Sequence, residues 1–347
     1  MSNTQYDDAI LDSNAIAPTD NDGNPIPVTI PIMLAPGIKV IYTTRLGGAS
    51  EGDYAHFNLG GKNGDNVEHV TANRTALANE IGAKLSLVSQ VHSAAVVDVD
   101  EAFVHNRPFG FDASGMKLSG DSENDPENGL ENGSGNADDQ IMIEADGQVT
   151  SREGVALGMF AADCLPVLFA DPQSGVIGAA HCGRKGLQRG VIGATIEKMV
   201  EKGAKTERIV ATLGPCICGD CYEVGGDIAD EFDAQFPGTF TLSRFGQPGI
   251  DIAAAALQEL ASAGIPADNI VSSRPRVNAA TQYLSEDEEL AEICRSDGEG
   301  DKRLSERISE IRRSLCTLEN PLWFSHRRAA LANKQHEGRM LALIVRE

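Results

Sequence analysis

Three residues far apart in the chain, His92, Cys164 and His181, have the side-chain types for a reaction centre. One thiolate and two imidazoles leave a tetrahedral zinc ion with an open fourth position, which is the pattern of catalytic rather than structural zinc. The same side chains can equally form a cysteine nucleophile with its histidine base. The residues alone leave both open. His92 follows Gln90-Val91, and a lone histidine serves as readily in a purely structural role. Cys164 lies in Ala162-Asp163-Cys164-Leu165-Pro166, where Asp163 interrupts the most apolar run of the chain. A carboxylate there is unfavourable unless paired or bound, although a buried cysteine also packs as a small hydrophobe.

His181 leads into Cys182-Gly183-Arg184-Lys185-Gly186, a glycine-rich turn with two cations. A strand end that passes through glycines into a helix is where α/β folds place ligands, and the helix start favours an anion. The separation of Cys164 from His181 is no zinc-finger spacing, and the His-x-Glu and Pro-Cys-x-x-Cys pattern of nucleobase deaminases is missing. Any metal site must therefore be assembled by the fold. Cys216, Cys218 and Cys221 suggest a knuckle, but no fourth ligand is close in sequence, and they read as a loop beside the site.

The elements that must position these residues alternate. Ile38–Thr43 reads as a strand, Val67 to Gly82 as a helix, and Val88 to Asp100 as one or two strands carrying His92. Strands at 154–160 and 165–170 flank the Asp163-Cys164 turn, and 176–180 delivers His181. A helix at 190–203, a strand at 208–213, helices near 224–236 and 251–264, a short strand at 269–272, a helix at 303–315 and a final strand at 340–345 follow. This pattern indicates an α/β layered fold with a mixed central sheet. Residues 1–35 read as a disordered or loosely packed acidic segment, and 36–347 as one catalytic domain. Two acidic insertions, at about 105–140 and 279–305, interrupt it.

The bulk properties exclude several classes. A net charge of −22 argues against nucleic acid, since few cations offset phosphate repulsion. The longest apolar stretch is broken by Asp163 and Pro166, so no membrane span is expected. The start of the chain lacks a basic and then apolar leader, and seven cysteines give no compact disulfide framework. A reducing cytoplasm is the expected location, with the chain a monomer or homodimer.

In order along the chain, several segments resemble the YfiH/laccase-domain family, known also under multicopper polyphenol oxidase and purine nucleoside phosphorylase descriptions. They are Thr43-Thr44-Arg45-Leu46-Gly47-Gly48-Ala49-Ser50, Asn58-Leu59-Gly60, Asn73-Arg74, Gln90-Val91-His92, Ala145-Asp146-Gly147, Ala162-Asp163-Cys164-Leu165-Pro166-Val167 and Ala180-His181-Cys182-Gly183. Gly214-Pro215-Cys216-Ile217, Cys221-Tyr222-Glu223-Val224-Gly225, Phe324-Ser325-His326-Arg327-Arg328 and Gly338-Arg339 complete the set. The resemblance implies a YfiH-like α/β sandwich with zinc on His92, Cys164 and His181. It also implies phosphorolysis of adenosine, inosine or methylthioadenosine, and deamination of adenosine. On this reading Asp163 or Glu223 carries protons, Arg45 and Lys185 position phosphate, and Asn58 and Gln90 contact substrate. Copper is the less suitable metal, because multicopper oxidases need many more than the seven histidines present. A Cys–His hydrolase acting on a cell-wall precursor, and a ligand-binding relative with little turnover, are the alternatives. The chain departs from the family at Arg184 and Lys185, where Trp-Arg is usual, and at His326, where tyrosine is usual. Lysine keeps the charge of arginine but not its bidentate geometry.

Overall fold

The computed structural model describes residues 19–116 and 141–347. Most of the expected N-terminal segment and of the first acidic insertion lies outside them. In chain order the strands are β1 (Thr29–Ala35), β2 (Ile38–Thr43), β3 (Lys84–Val88), β4 (Val96–Asp98), β5 (Gly110–Ala113), β6 (Gly147–Thr150), β7 (Val155–Ala161), β8 (Leu165–Asp171), β9 (Val176–Cys182), β10 (Val210–Leu213), β11 (Phe240–Leu242), β12 (Pro248–Ile250) and β13 (Met340–Arg346). The helices are α1 (Val67–Glu80), α2 (Val99–Ala102), α3 (Arg184–Gln188), α4 (Val191–Glu201), α5 (Gly226–Gln235), α6 (Ile252–Ser262), α7 (Arg274–Tyr283), α8 (Glu288–Ser296), α9 (Leu304–Arg307) and α10 (His326–Leu331).

Two mixed sheets form the centre of the layered α/β sandwich. One runs β1-β2-β13-β7-β3-β5 and the other β10-β8-β9-β6-β4, with β11-β12 a separate ribbon. The first is antiparallel except where β3 pairs in parallel with β5 and β7. The second is antiparallel except for β4 against β6. Tyr42, Leu157, Met159, Ala342 and Ile344 of the first sheet share a core with Leu168, Ala170, Ile177 and Ala179 of the second. The outer face of the second sheet packs Val167, Phe169 and Ala180 against Ile192, Ile196 and Met199 of α4 and against α6. The outer face of the first sheet packs Leu85, Leu87 and Leu343 against Val70 and Leu77 of α1. With both faces covered, β8 and β9 are buried at every residue, which is why they read as unbroken apolar runs rather than alternating ones.

Several expectations need correction. Thr29–Ala35 is not loose: it is β1, paired antiparallel with β2. His92 lies on the loop between β3 and β4, not on a strand. Residues 110–113 of the first expected insertion form β5, an edge strand of the first sheet. Residues 269–272 make one bridge, Ala211 to Ile270, rather than a strand. Only 304–307 of the expected helix at 303–315 is α-helical. The acidic 279–305 stretch is built into the body through α8, whose Leu290, Ile293 and Cys294 join the core between the sheets. Its pattern was apolar at helical spacing, but the surrounding acids masked it.

The start of α4 has no side-chain cap from its own segment. Glu259 of α6 stands beside it, near Gly190, and burial pushes its carboxyl up to about 7. The unfolded chain would ionise this group near 4.5. Folding thus takes up a proton between those two values, and stability is lost as pH rises through the window. Glu259→Gln keeps an acceptor and removes the charge. It should melt roughly 2–4 °C above the parent at about pH 8 and alongside it at about pH 4, by thermal scans.

Candidate metal centre and its cavity

Strand register brings the first two residues together. The tight connection from β7 to β8 presents Cys164, and Pro166 on β8 pairs with His181 on β9. His92 arrives from the other sheet on the loop after β3. One carboxylate fixes that loop. Asp146, fully buried, accepts N–H bonds from Val91 at 3.2 Å, His92 at 3.0 Å and Ser93 at 2.5 Å, and the Ser93 hydroxyl at 2.7 Å. The same carboxylate takes His181 Nδ1 at 2.8 Å, and its backbone carbonyl takes the His181 N–H at 2.7 Å.

The donor atoms of His92, Cys164 and His181 all lie within 4.8 Å of one another. Cys164 Sγ is 3.6 Å from His92 Nε2, and the two imidazole rings meet edge to face at 4.9 Å. Because Nδ1 of His181 is bonded to Asp146, its Nε2 is left for a ligand, the usual carboxylate–histidine arrangement behind a metal. Gly183 closes one side: a Cβ there would stand 2.7 Å from His92 Cδ2 and 2.9 Å from Cys164 Sγ. One soft donor, two imidazoles and the space kept by Gly183 fit a metal ion.

The electrostatics favour a Cys164 thiolate beside a protonated His181, whose Nε2 proton a bound metal would displace. Burial pushes the Cys164 thiol up, but the His181 and His92 imidazoles outweigh it and hold its pKa at about 6. Burial opposes the charge on His181 as well, yet Cys164 and Asp146 raise it to about 9. Asp146, also penalised by burial, is held down to about 2 by His181 and Ser93. The backbone is strained just before the thiol and at His92 itself. Asp163 has φ 98° and His92 has φ 59°, both in the left-handed region that L-residues enter at a cost. Asp163 is held there by Thr317 Oγ1 at 2.6 Å and the Arg327 N–H at 2.8 Å.

The triad opens into a cavity of about 530 Å³. Val88, Phe160, Ile217 and Tyr222 give it apolar walls, Lys62, Arg327 and Arg339 give it cationic ones, and His326 also lines it. Lys62 Nζ donates to Ser89 Oγ at 2.7 Å and has no carboxylate partner among the described residues. Burial raises the Tyr222 phenol to about 12, so it stays protonated and can donate.

Other expected site residues are placed differently. Gln90 lines the cavity but spends its amide on the Phe160 backbone, donating to the carbonyl at 2.9 Å and accepting the N–H at 2.7 Å. Asn58 sits behind the wall, accepting the Gly60 N–H at 2.9 Å and the Arg339 N–H at 2.8 Å. Both carboxylate oxygens of Asp163 are engaged, so it is a positioning group rather than a free proton carrier. Glu223 accepts the Ser243 hydroxyl at 2.6 Å, outside the cavity lining. Lys185 is exposed on α3, also outside that lining. Arg45 is buried elsewhere, bonded to Asp297 at 2.7 Å and lying over Phe324. Neither it nor Lys185 can meet a ligand of this cavity as placed. Among the residues that do, Arg327 and Arg339 lay in the family-like segments, whereas Lys62 carried no sequence signal.

The family model described as multi-copper polyphenol oxidoreductase laccase matches residues 39–287. The chain belongs to this family. Within it, a Corynebacterium glutamicum relative named purine nucleoside phosphorylase is 34% identical over 71% of this chain and 87% of its own. A relative named adenosine deaminase, from an unknown prokaryotic organism, is 31% identical over 69% of this chain and 83% of its own. The solved structure of a Neisseria meningitidis protein, 27% identical, covers 92% of this chain and 99% of its own at a TM-score of 0.61. YlmD from Geobacillus stearothermophilus, 24% identical, shares the fold at a TM-score of 0.64 over 91% of this chain and 94% of its own. No helix among the described residues is long and apolar enough to cross a membrane.

Two consequences are measurable. Asp146→Asn should weaken metal binding by the centre about 10- to 100-fold, read by competition with a chromogenic chelator. Arg45→Ala should cost about 1.5–3 kcal/mol in denaturant unfolding, since it removes one of the three cations on the buried Asp297 and a charged hydrogen bond with it, and should leave the KM for substrate unchanged.

Proposed function

We propose that this protein is a zinc-dependent purine nucleoside enzyme, acting by phosphorolysis of adenosine, inosine or methylthioadenosine and by deamination of adenosine. The observation that carries the reading is one thiol and two imidazoles converging at the floor of a cavity with apolar and cationic walls. Its size suits a nucleoside, since small-ligand pockets run from about 300 to 1,000 Å³. The names of the family relatives point the same way.

His92, Cys164 and His181 would hold the ion. Zinc there supplies Lewis acidity and a source of hydroxide near neutral pH. Zinc suits a set of one thiol and two imidazoles with an open position, and seven histidines in the whole chain are too few for the several sites of a multicopper oxidase. Two imidazoles meeting one thiol also favour a ligand set over a nucleophile–base pair, which needs only one.

The remaining walls divide the substrate between them. Phe160, Ile217 and Tyr222 offer flat apolar surface for a purine, with the Tyr222 hydroxyl free to donate to a ring nitrogen. Lys62, Arg327 and Arg339 attract phosphate into a protein whose net charge would otherwise repel it. In phosphorolysis that phosphate must meet the anomeric carbon as the glycosidic bond breaks, so its placement is the main contribution of these cations. In deamination no phosphate takes part, and they matter less. The cytoplasm, where nucleosides and phosphate are both present, is the setting this reading implies.

The test is product analysis by mass after incubation with adenosine, with and without phosphate. Free base with ribose 1-phosphate, or inosine, is expected from the parent, and neither from Cys164→Ser. Lys62→Met should raise the KM for phosphate about tenfold with little effect on deamination. Full turnover by a metal-free Cys164→Ser protein would refute the proposal. Fast alkylation of Cys164 in the metal-loaded protein would instead favour the cysteine hydrolase.

A further inference from the structure

The cysteine-rich segment at 216–221 gains its missing partners from the far end of the chain. Cys218, Cys221, Cys316 and Glu319 bring three sulfurs and a carboxylate oxygen within 4.8 Å of one another. The three cysteines are 8%, 0% and 1% exposed, and the Glu319 side chain is 1% exposed. We propose that these four residues form a second, structural zinc site. It is separate from the triad and does not rest on the function proposed above.

The donor geometry fits without rearrangement of the chain. Glu319 Oε1 lies 3.7 Å from Cys221 Sγ and 4.0 Å from Cys218 Sγ. A tetrahedral zinc with bonds of about 2.3 Å to sulfur and about 2.0 Å to oxygen needs sulfur–oxygen separations of about 3.5 Å. The donors need only draw slightly inward. Cys218-Gly219-Asp220-Cys221 has the two-residue spacing of a zinc knuckle and turns like one, with the Cys221 and Tyr222 N–H groups both donating to the Cys218 carbonyl at 2.9 and 3.0 Å. Gly219 permits that turn to pack, since a Cβ there would come within 2.9 Å of Thr241 and 3.0 Å of Asp251.

The surroundings orient the donors as outer groups orient metal ligands. The Cys218 N–H donates to Cys316 Sγ at 3.4 Å, a bond that favours a thiolate. Glu319 Oε2 accepts the Arg312 and Arg313 N–H groups, each at 2.9 Å, which turns Oε1 toward the sulfurs. Arg244 stands 3.3 Å from Oε1 and offsets part of the negative charge. Without an ion, a buried carboxylate would face three thiols, which are weak donors. Binding displaces one proton from each thiol and involves no redox step. All four fill a closed tetrahedral set, the mark of a structural rather than catalytic zinc.

The consequence reaches the cavity. The site would staple residues 216–221, which carry Ile217 and lead to Tyr222, to residues 316–319, which lead through Phe324 to Arg327. Backbone bonds already join the two segments, from the Cys216 N–H to Leu315 at 3.0 Å and from the Thr317 N–H to Cys216 at 3.1 Å. A metal would lock what these two bonds begin.

The test uses the full chain purified under reducing conditions without chelator, with metals quantified by mass spectrometry. In a Cys164→Ser, His181→Ala protein, whose triad is dismantled, about one zinc per chain should remain. Its cobalt(II) form should show the strong thiolate-to-cobalt absorption of a tetrahedral site with three sulfurs. Adding Cys316→Ser should remove both signals. Should that protein fold poorly, the milder Glu319→Gln should still weaken zinc retention about tenfold against a chelator. No bound zinc in the triad-less protein after titration with zinc, iron in its place, or a disulfide among Cys218, Cys221 and Cys316 would overturn the proposal. Loss of the triad metal or of nucleoside turnover alone would leave it standing.

Discussion

The candidate centre depends on one carboxylate, Asp146. It stands at the entry to β6 and holds two things that the chain supplies separately: the loop carrying His92 and the imidazole of His181. Such a buried charge would be costly alone, and it persists because every bond it makes is to an N–H or O–H donor that needs a partner. The result is a rigid joint between two sheets. His92 comes from the loop after β3 of the first, Cys164 and His181 from the second, and Asp146 keeps them in register.

A second buried carboxylate does the same for the periphery. Asp297, just after α8, receives Arg45 at 2.7 Å, Arg328 at 3.1 Å and Lys334 at 2.5 Å. Burial would push its carboxyl up, but Arg45 and Arg328 hold it well below the usual range. Arg328 also donates to the carbonyls of Thr317 and Trp323. Through this cluster the acidic stretch after α7 anchors the segment 317–328, which carries the cavity residues His326 and Arg327. Acidity that reads as a solvated insertion is therefore partly internal, and it neutralises cations that would otherwise be mistaken for substrate contacts.

The two hubs explain which expectations held. Strands β7, β8 and β9 were legible because burial on both faces leaves an uninterrupted apolar signature. The helix α1 was legible from its spacing and from Gly82 after it. β1 was not, since Pro31 and its polar forerunners resemble the loose segment before it, and its pairing with β2 is a long-range gain. Arg45 shows the limit more clearly. Its glycine-rich setting suggests a ligand loop, yet only the position of Asp297 decides whether its charge faces a cavity or a buried partner.

What the sequence determined by itself was the inventory: a thiol beside an acid in an apolar turn, a histidine at a strand end, and a layered α/β order that could bring them together. Those are local facts of spacing and hydrophobicity, set within one element at a time. Tertiary structure alone decided the partnerships. Asp146 with His181, Asp297 with Arg45, and Cys218 with Cys316 and Glu319 each join groups distant in the chain. Their distances are fixed by sheet register and packing between layers, neither of which any short window of residues contains.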